Sequence, residues 1–436
     1  MYFLYSLALS FLFIALLPYF FYQAARHRKY SGSFKQRMGW LPEAVRGDDG
    51  QTIWLHAVSV GEYLAARTLI ERLKSELPGF RIVVSTTTRT GQTLARAECH
   101  KFAGTFYFPF DWNFSVRRAL DWVRPSIVLI LETELWPNFL RECRRRGVLT
   151  LLVNGRISTR SFRRYRKAPA FIRSVVEDLS LMIMQSEEDA ERSRALGAQA
   201  SRVRVCGNLK YEHAEVGDSG SGVGSQFDGQ FGLSASPHLI VAGSTAPGEE
   251  EILLACFDGV RSHQGLEDAR LLIAPRHPER FDEVARLIAR SGFTFARRSE
   301  TTAAVSKPDV ILLDTIGELA SLYRYAAVVF VGGSLVRRGG HNIIEPAAFG
   351  KPIVVGQHTE NFRQVISDFQ RANAVVQIDA SAGQAQAALS RELIRLLSDG
   401  EQAREMGLRA RSILIANRGA TDCIISAIRQ LVSLGS

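Results

Sequence analysis

The sequence predicts an α/β protein built from two βα domains. Short, continuously apolar runs recur between amphipathic stretches, a Gly/Ser-rich segment interrupts them near the middle, and the same alternation then restarts. Runs that are apolar at successive positions suit parallel strands buried on both faces. The chain has 436 residues, enough for two to three domains. Hydrophobic residues make up 46% and charged residues 22%, a globular balance that excludes disorder, collagen and a small disulfide scaffold.

In the first half the strands are expected at Thr52–Ala57, Arg81–Thr86, Ile127–Leu131, Leu149–Val153 and Leu181–Gln185. Helical patterns follow, as at Glu62–Leu77 and Trp136–Arg146. Glu215–Pro237 is rich in Gly and Ser and reads as a linker. Strands then resume at His238–Gly243, Leu271–Pro275, Val310–Asp314, Val328–Gly332 and Ile353–Gly356, and the tail Ser390–Leu434 reads as helix. Two such domains place a ligand in the cleft between them, outside the carboxyl ends of the strands.

Residues 1–22 carry no charge, and the first charged side chain is Arg26. A helix of that length reaches roughly 30 Å, the thickness of a bilayer core. The positive residues follow the apolar run (Arg26, Arg28, Lys29, Lys35, Arg37), with no acid before Glu43. A signal peptide carries them before it. The order predicts a retained transmembrane anchor helix with the remainder of the chain in the cytoplasm. The expected boundaries are an anchor at 1–24, a first domain at 25–214, a linker at 215–237 and a second domain at 238–436.

Cys99, Cys143, Cys206, Cys256 and Cys423 are odd in number and form no CxxC pair. That argues against a disulfide framework or a structural zinc site and fits a reducing compartment. The formal net charge of +10 implies an anionic partner. Between Cys143 and Val176 there are ten basic residues and no acidic one, with Phe162, Tyr165, Phe171 and Ile172 interleaved. A basic run laced with aromatics suits a membrane surface or a phosphorylated lipid head. Nucleic acid is the competing partner, and a solvated helix face is the plain structural reading.

Five stretches at strand ends carry candidate chemistry. In Trp54-Leu-His-Ala-Val-Ser-Val-Gly-Glu62, Gly61 permits a tight turn and Glu62 opens a helix at the carboxyl edge of the sheet. Ser59 and Glu62 have capping-box spacing, so Glu62 either satisfies backbone N–H groups or serves as a general base. In Glu132-Thr-Glu134-Leu-Trp-Pro137 the two carboxylates can hold a metal ion, or one can cap the next helix, with Pro137 in its first turn. Asn154-Gly-Arg-Ile-Ser158 lies inside the basic run. In Gly207-Asn-Leu-Lys210 the lysine is either a cation for the cleft or a surface residue. In the second half, Ala242-Gly-Ser-Thr245, Pro275-Arg-His-Pro278, Asp314-Thr-Ile-Gly-Glu318, Val331-Gly-Gly-Ser334 and Gly339-Gly-His-Asn-Ile-Ile-Glu-Pro346 all follow strands. Gly-rich turns that open onto helices bind phosphate, and Glu345 can accept from ribose hydroxyls, which together predict a nucleotide site. There is no GxGxxG fingerprint after the first strand, no GxxxxGK[ST] loop and no His/Cys cluster with metal-ligand spacing.

These strings, taken in order, resemble the 3-deoxy-D-manno-octulosonic acid (Kdo) transferases of Gram-negative bacteria. The resemblance rests on His56-Ala-Val-Ser-Val-Gly-Glu62, Glu132-Thr-Glu-Leu-Trp-Pro137, Asn154-Gly-Arg156, Gly207-Asn-Leu-Lys210, Pro275-Arg-His-Pro278 and Gly340-His-Asn-Ile-Ile-Glu-Pro346. It implies a GT-B glycosyltransferase, with two Rossmann-like βα domains facing a cleft and an N-terminal transmembrane anchor helix before them. It also implies inverting transfer of Kdo from CMP-Kdo to the lipid A precursor lipid IVA, at the cytoplasmic face of the inner membrane. No cofactor, metal or nucleic acid enters. By the same resemblance Glu62 matches the proton acceptor, and Glu132 and Lys210 match positions that stabilise the transition state. Arg276, His277, Ile316, Gly317, Glu318, Asn342, Ile343, Ile344 and Glu345 match the CMP-binding segments. Another membrane-associated GT-B enzyme that uses a different nucleotide sugar is the nearest alternative.

Overall fold

The computed structural model describes residues 1–11, 13, 15, 33–48, 50–212, 222–300, 307–379 and 383–435. The chain forms two compact units. One comprises Met1–Glu212 and Asn417–Ser436, and the other His213–Ala416.

The first unit holds a seven-stranded parallel sheet of β1 (Gln51–Ala57), β2 (Phe80–Thr86), β3 (Gly104–Tyr107), β4 (Ile127–Leu131), β5 (Leu149–Gly155), β6 (Leu181–Met184) and β7 (Val203–Val205). Their order is β3-β2-β1-β4-β5-β6-β7. The sequence logic is plain in β1. Ile53, Leu55 and Ala57 enter one core cluster and Trp54 the other, because successive side chains point to opposite faces. The first face is covered by Leu69, Ile70 and Leu73 of one helix and by Ile424, Ile425 and Ile428 near the C-terminus. The second is covered by the helices Asn113–Val123, Pro137–Arg145 and Pro169–Glu177. Both faces are therefore dry, which is why the strands read as unbroken apolar runs.

The second unit repeats the plan with β8 (Leu239–Thr245), β9 (Arg270–Pro275), β10 (Phe295–Arg297), β11 (Val310–Leu312), β12 (Val328–Val331), β13 (Ile353–Val355) and β14 (Val376–Gln377). The order is β10-β11-β9-β8-β12-β13-β14, again all parallel. In each sheet the strand order reverses beside the first strand, at β1/β4 and at β8/β12, and in the second sheet β10 and β11 also stand in exchanged order at the edge. Loops leaving the carboxyl ends there diverge and leave room for a ligand.

Four expectations are corrected. Among the described residues no helix is long and apolar enough to cross a membrane, so the anchor expected over 1–24 is not found. Positions 12, 14 and 16–24 of that stretch lie outside the described residues. Residues 2–11 are helical, and one face is engaged by protein. The Tyr2 hydroxyl donates to Asp178 at 2.5 Å, Ser6 pairs with Asn138, and the rings of Tyr2 and Tyr5 lie 5.6 and 5.7 Å from Phe171. An uncharged run does not distinguish a lipid-facing helix from one whose Tyr and Ser hydroxyls have protein partners.

Within the expected linker, 215–221 lie outside the described residues, whereas Gly222–Phe231 is a helix with Phe227 and Phe231 fully buried. Two apolar anchors outweigh the helix-breaking composition around them. The tail does not stay with the second unit, because residues 417–436 pack on the first. Finally, Cys206 and Cys423 form a disulfide across 217 residues of sequence. Spacing alone cannot reveal such a pair, because folding brings the two Cα atoms to 5.6 Å.

Candidate active site

The reversal point of the first sheet gathers three of the predicted side chains. Glu62 stands in the first turn of the helix Val60–Ala65 after β1. Its carboxylate accepts the Val58 N–H at 2.7 Å and the Ser59 hydroxyl at 3.1 Å, and Ser59 caps the helix by accepting from the Glu62 N–H. The Ser59 half of the capping box is therefore formed, while the carboxylate turns to the Val58 N–H and the Ser59 hydroxyl, which fix it without occupying it fully. Burial raises the Glu62 pKa to about 7, helped by the charges of Glu132 and Glu134 and opposed by the bonds from Val58 and Ser59. Gly61 is helical with ordinary φ, and a Cβ there would meet nothing closer than Ser59 Oγ at 3.9 Å. Its value is not the tight turn expected of it but an uncovered surface beside Glu62.

Glu132 follows β4 in the left-handed region, at φ 59°. Its carboxylate meets the Lys210 ammonium at 2.7 Å. Lys210 is thus a paired cation of this site rather than a plain surface lysine. Glu134 lies close enough for burial and the Glu132 charge to raise its pKa. Neither carboxylate caps the helix Pro137–Arg145. That role falls to Asp111, whose two oxygens accept the N–H groups of Asn138 and Phe139 at 3.0 and 2.8 Å. Asp111 is 27 residues upstream of Asn138, which local sequence reading cannot see. His56, the first residue of the matched string, is a core residue. Its ring stacks on Phe108 at 3.9 Å and its Nδ1 lies 2.9 Å from Ser85 Oγ, and burial lowers its pKa to about 3.

In the second unit two of the matched segments, Arg276–His277 and Asn342–Glu345, come close to each other after β9 and β12. Arg276 and His277 are exposed after β9. The charge of Arg276 reaches both His341 and Glu345, lowering the His341 pKa alongside burial and opposing the rise that burial gives Glu345. Asn342 Nδ2 donates to Glu345 Oε1 at 3.2 Å, and Asn342 Oδ1 accepts the Ile344 N–H at 3.0 Å. Ile343 and Ile344 bury their side chains, so what they offer a ligand is main chain. Ile316 is 80% exposed, Gly317 has φ +87°, and Glu318 is held by Arg298 through bonds of 3.1 and 3.0 Å.

One expectation about phosphate changes. The N–H groups of Gly333, Ser334 and Leu335, in the turn after β12, all donate to Glu249 at 2.7–2.9 Å. Glu249 also accepts from Ala246 and is fully buried. This turn is filled by the protein's own carboxylate instead of standing open to phosphate. Gly333 is still required there: φ is +66°, and a Cβ would lie 2.9 Å from the His341 ring. The sequence shows Glu249 only as part of an acidic helix start, so its role is visible only once β8 and β12 are neighbours.

Two parallel sheets, each reversing in order beside its first strand, with acidic and basic groups at their carboxyl ends, define a GT-B-like, two-domain α/β protein. The UDP-GlcNAc 2-epimerase of Neisseria meningitidis shares this fold, with TM-score 0.51 at 13% identity over 87% of this chain and all of that one. The family model for 3-deoxy-D-manno-octulosonic-acid transferase matches residues 32–213, and that for group 1 glycosyl transferases matches 298–413. The 3-deoxy-D-manno-octulosonic acid transferase of Haemophilus influenzae is 33% identical over 384 residues, 87% of each chain. The C-terminal CMP-Kdo binding domain of WaaA from Acinetobacter baumannii is 32% identical, covering 44% of this chain and 95% of that one with TM-score 0.39. The chain belongs to the Kdo transferase family. It is a Kdo-transferring glycosyltransferase.

Proposed function

We propose that the protein transfers Kdo from CMP-Kdo to lipid IVA with inversion and without a metal ion, with Glu62 as the base. The observation that carries this reading is the Glu62 carboxylate, fixed by Val58 and Ser59 and brought to a pKa of about 7. An ordinary glutamate is a weak base at neutral pH, and a raised pKa brings it towards the working range. The acceptor hydroxyl gives its proton to Glu62 as its oxygen attacks C2 of Kdo. The bond from C2 to the CMP phosphate breaks on the opposite face, so the anomeric centre inverts. Glu132 and Lys210 act as a charged pair beside the reacting groups. Arg276 supplies positive charge for the departing phosphate, with Asn342 and Glu345 for the nucleotide.

The acceptor is a phosphorylated lipid, so the enzyme works at a membrane surface, on the cytoplasmic side where CMP-Kdo is found. The exposed basic residues Arg160, Arg163, Arg164, Arg166 and Lys167, with the exposed Phe3, Leu4, Leu7 and Phe11, support contact with that surface. The test is to incubate the detergent-solubilised protein with lipid IVA and either CMP-Kdo or UDP-sugars, with and without EDTA, and to weigh the products. Kdo adducts that persist in EDTA are expected. Products from UDP-sugars alone would favour the alternative donor, and EDTA loss restored by Mg²⁺ would make Glu132 and Glu134 metal ligands.

A further inference from the structure

Lys210 sits in the single 3-10 turn Leu209–Tyr211, and its ammonium meets Glu132, so the placement of that turn sets the pair. Four residues close a ring of hydrogen bonds that holds it, all within the first unit. Gln185, just after β6, donates from Nε2 to the Asn154 carbonyl at 2.9 Å and accepts at Oε1 from Asn208 Nδ2 at 3.1 Å. Asn208 Oδ1 accepts the Lys210 N–H at 3.0 Å. Asn154 Oδ1 accepts the Leu209 N–H at 3.0 Å, which closes the ring. Asn154, Gln185 and Asn208 are 1%, 9% and 4% exposed, so these amides are committed to one another rather than to water. Asn154 is left-handed at φ 56°, and so is Glu132 at the end of the neighbouring strand. Two non-glycine residues in that region on adjacent strands mark a place where the fold spends strain on position.

We propose that Gln185, joined in a ring with Asn154 and Asn208, is a positioning residue that holds Lys210 against Glu132. The inference rests on the reading above that this pair serves the transfer. A primary amide is needed because one end must donate to Asn154 while the other accepts from Asn208. Gln185 acts through Lys210 and touches no substrate.

A merely structural amide would change stability without changing ionisation in the site. A positioning amide changes both. The groups that face Glu62 are Glu132, Glu134, the Val58 N–H and the Ser59 hydroxyl, and Lys210 acts on it through Glu132. If Lys210 leaves Glu132, the uncompensated charge pushes Glu62 further up, and the acid limb of the pH–rate profile moves to higher pH.

The experiment measures kcat and KM for CMP-Kdo against pH, with lipid IVA, for the full chain and for Gln185→Met, Lys210→Met and the double variant. Each single variant is expected to move the acid limb upward by about 0.5–1 pH unit and to lower kcat about 10–100-fold, with KM for CMP-Kdo within about twofold. The double variant should behave as Lys210→Met alone. If Gln185→Met does not fold, Asn154→Gly keeps the left-handed backbone and removes only the bond to Leu209, and it should move the limb the same way. A limb that stays in place in a folded ring variant, or effects that simply add in the double variant, overturns the proposal. If Lys210→Met itself leaves the limb unmoved, it is the role of the Lys210–Glu132 pair that falls.

Discussion

Glu62 shows how one residue serves two ends. Ser59 and the Val58 N–H fix its carboxylate for the helix start, and the same contacts leave it half-buried beside Glu132. Glu62→Gln keeps the shape and removes the base, so turnover should fall by about 10²–10⁴-fold with folding intact. Loss of a wild-type acid limb near pH 7 would accompany it. The stability effect has the opposite sign. A folded pKa of about 7 lies above the unfolded value, so Glu62 favours folding below about pH 4.5 and ceases to do so as the pH rises through 7. At pH 8 the Gln variant should therefore be more stable by about 1–2 kcal/mol, with solvent screening and the changed Val58 contact reducing the full linkage value. The difference should vanish near pH 4, and urea denaturation at the two pH values measures it.

At the scale of elements, the turns after the strands are set by carboxylates that reach in from elsewhere. Glu249, on the helix after β8, takes the N–H groups of the turn after β12, and Asp111 caps a helix that begins 26 residues later. Glu249→Ala would orphan several buried N–H groups at once, each costing about 1–3 kcal/mol. The expected loss exceeds about 3 kcal/mol, and it should disorder the turn that carries Gly333 against His341. Urea denaturation and hydrogen exchange at residues 333–335 measure both. The strands themselves were legible because both faces of each sheet are buried and most positions in the central strands are apolar. Four short strands escaped notice or definition: Gly104–Tyr107, Val203–Val205, Phe295–Arg297 and Val376–Gln377 are the edge strands of the two sheets, where burial alternates or is partial. The helix expected at Glu62–Leu77 is two, Val60–Ala65 and Arg67–Glu76, broken at Ala66 without a Gly or Pro to announce it.

On the scale of the whole molecule, the basic excess belongs to the first unit. Arg160, Arg163, Arg164, Arg166 and Lys167 are exposed on and beside the helix Thr159–Tyr165, none of whose side chains is buried, while Arg144 and Arg146 are paired with Asp178, Asp121 and Glu142. Only the unpaired part of the run is available to a partner, which narrows what a charge count suggests. Binding to anionic phospholipid vesicles should accordingly weaken with salt. Replacing Arg163, Arg164 and Arg166 by Gln should weaken it at low salt, with the release of CMP from CMP-Kdo in detergent nearly unchanged. Co-sedimentation with the vesicles reads the first effect, and a detergent assay the second.

The sequence by itself determined the alternation of strands and helices, the two-part plan and the order of the matched strings. These depend on apolar periodicity and on residues only a few positions apart. Tertiary structure alone decided that Lys210 meets Glu132, that Gln185 ties Asn154 to Asn208, that Glu249 fills a turn expected for phosphate, and that Cys206 meets Cys423. It also decided that the last residues return to the first unit and that the described part of the N-terminal run has protein partners, with no membrane-crossing helix among the described residues. Each of these is a contact between residues far apart in sequence. A local pattern states which chemical groups are present, but only the folded chain fixes which of them are close enough to share a proton, a charge or a bond.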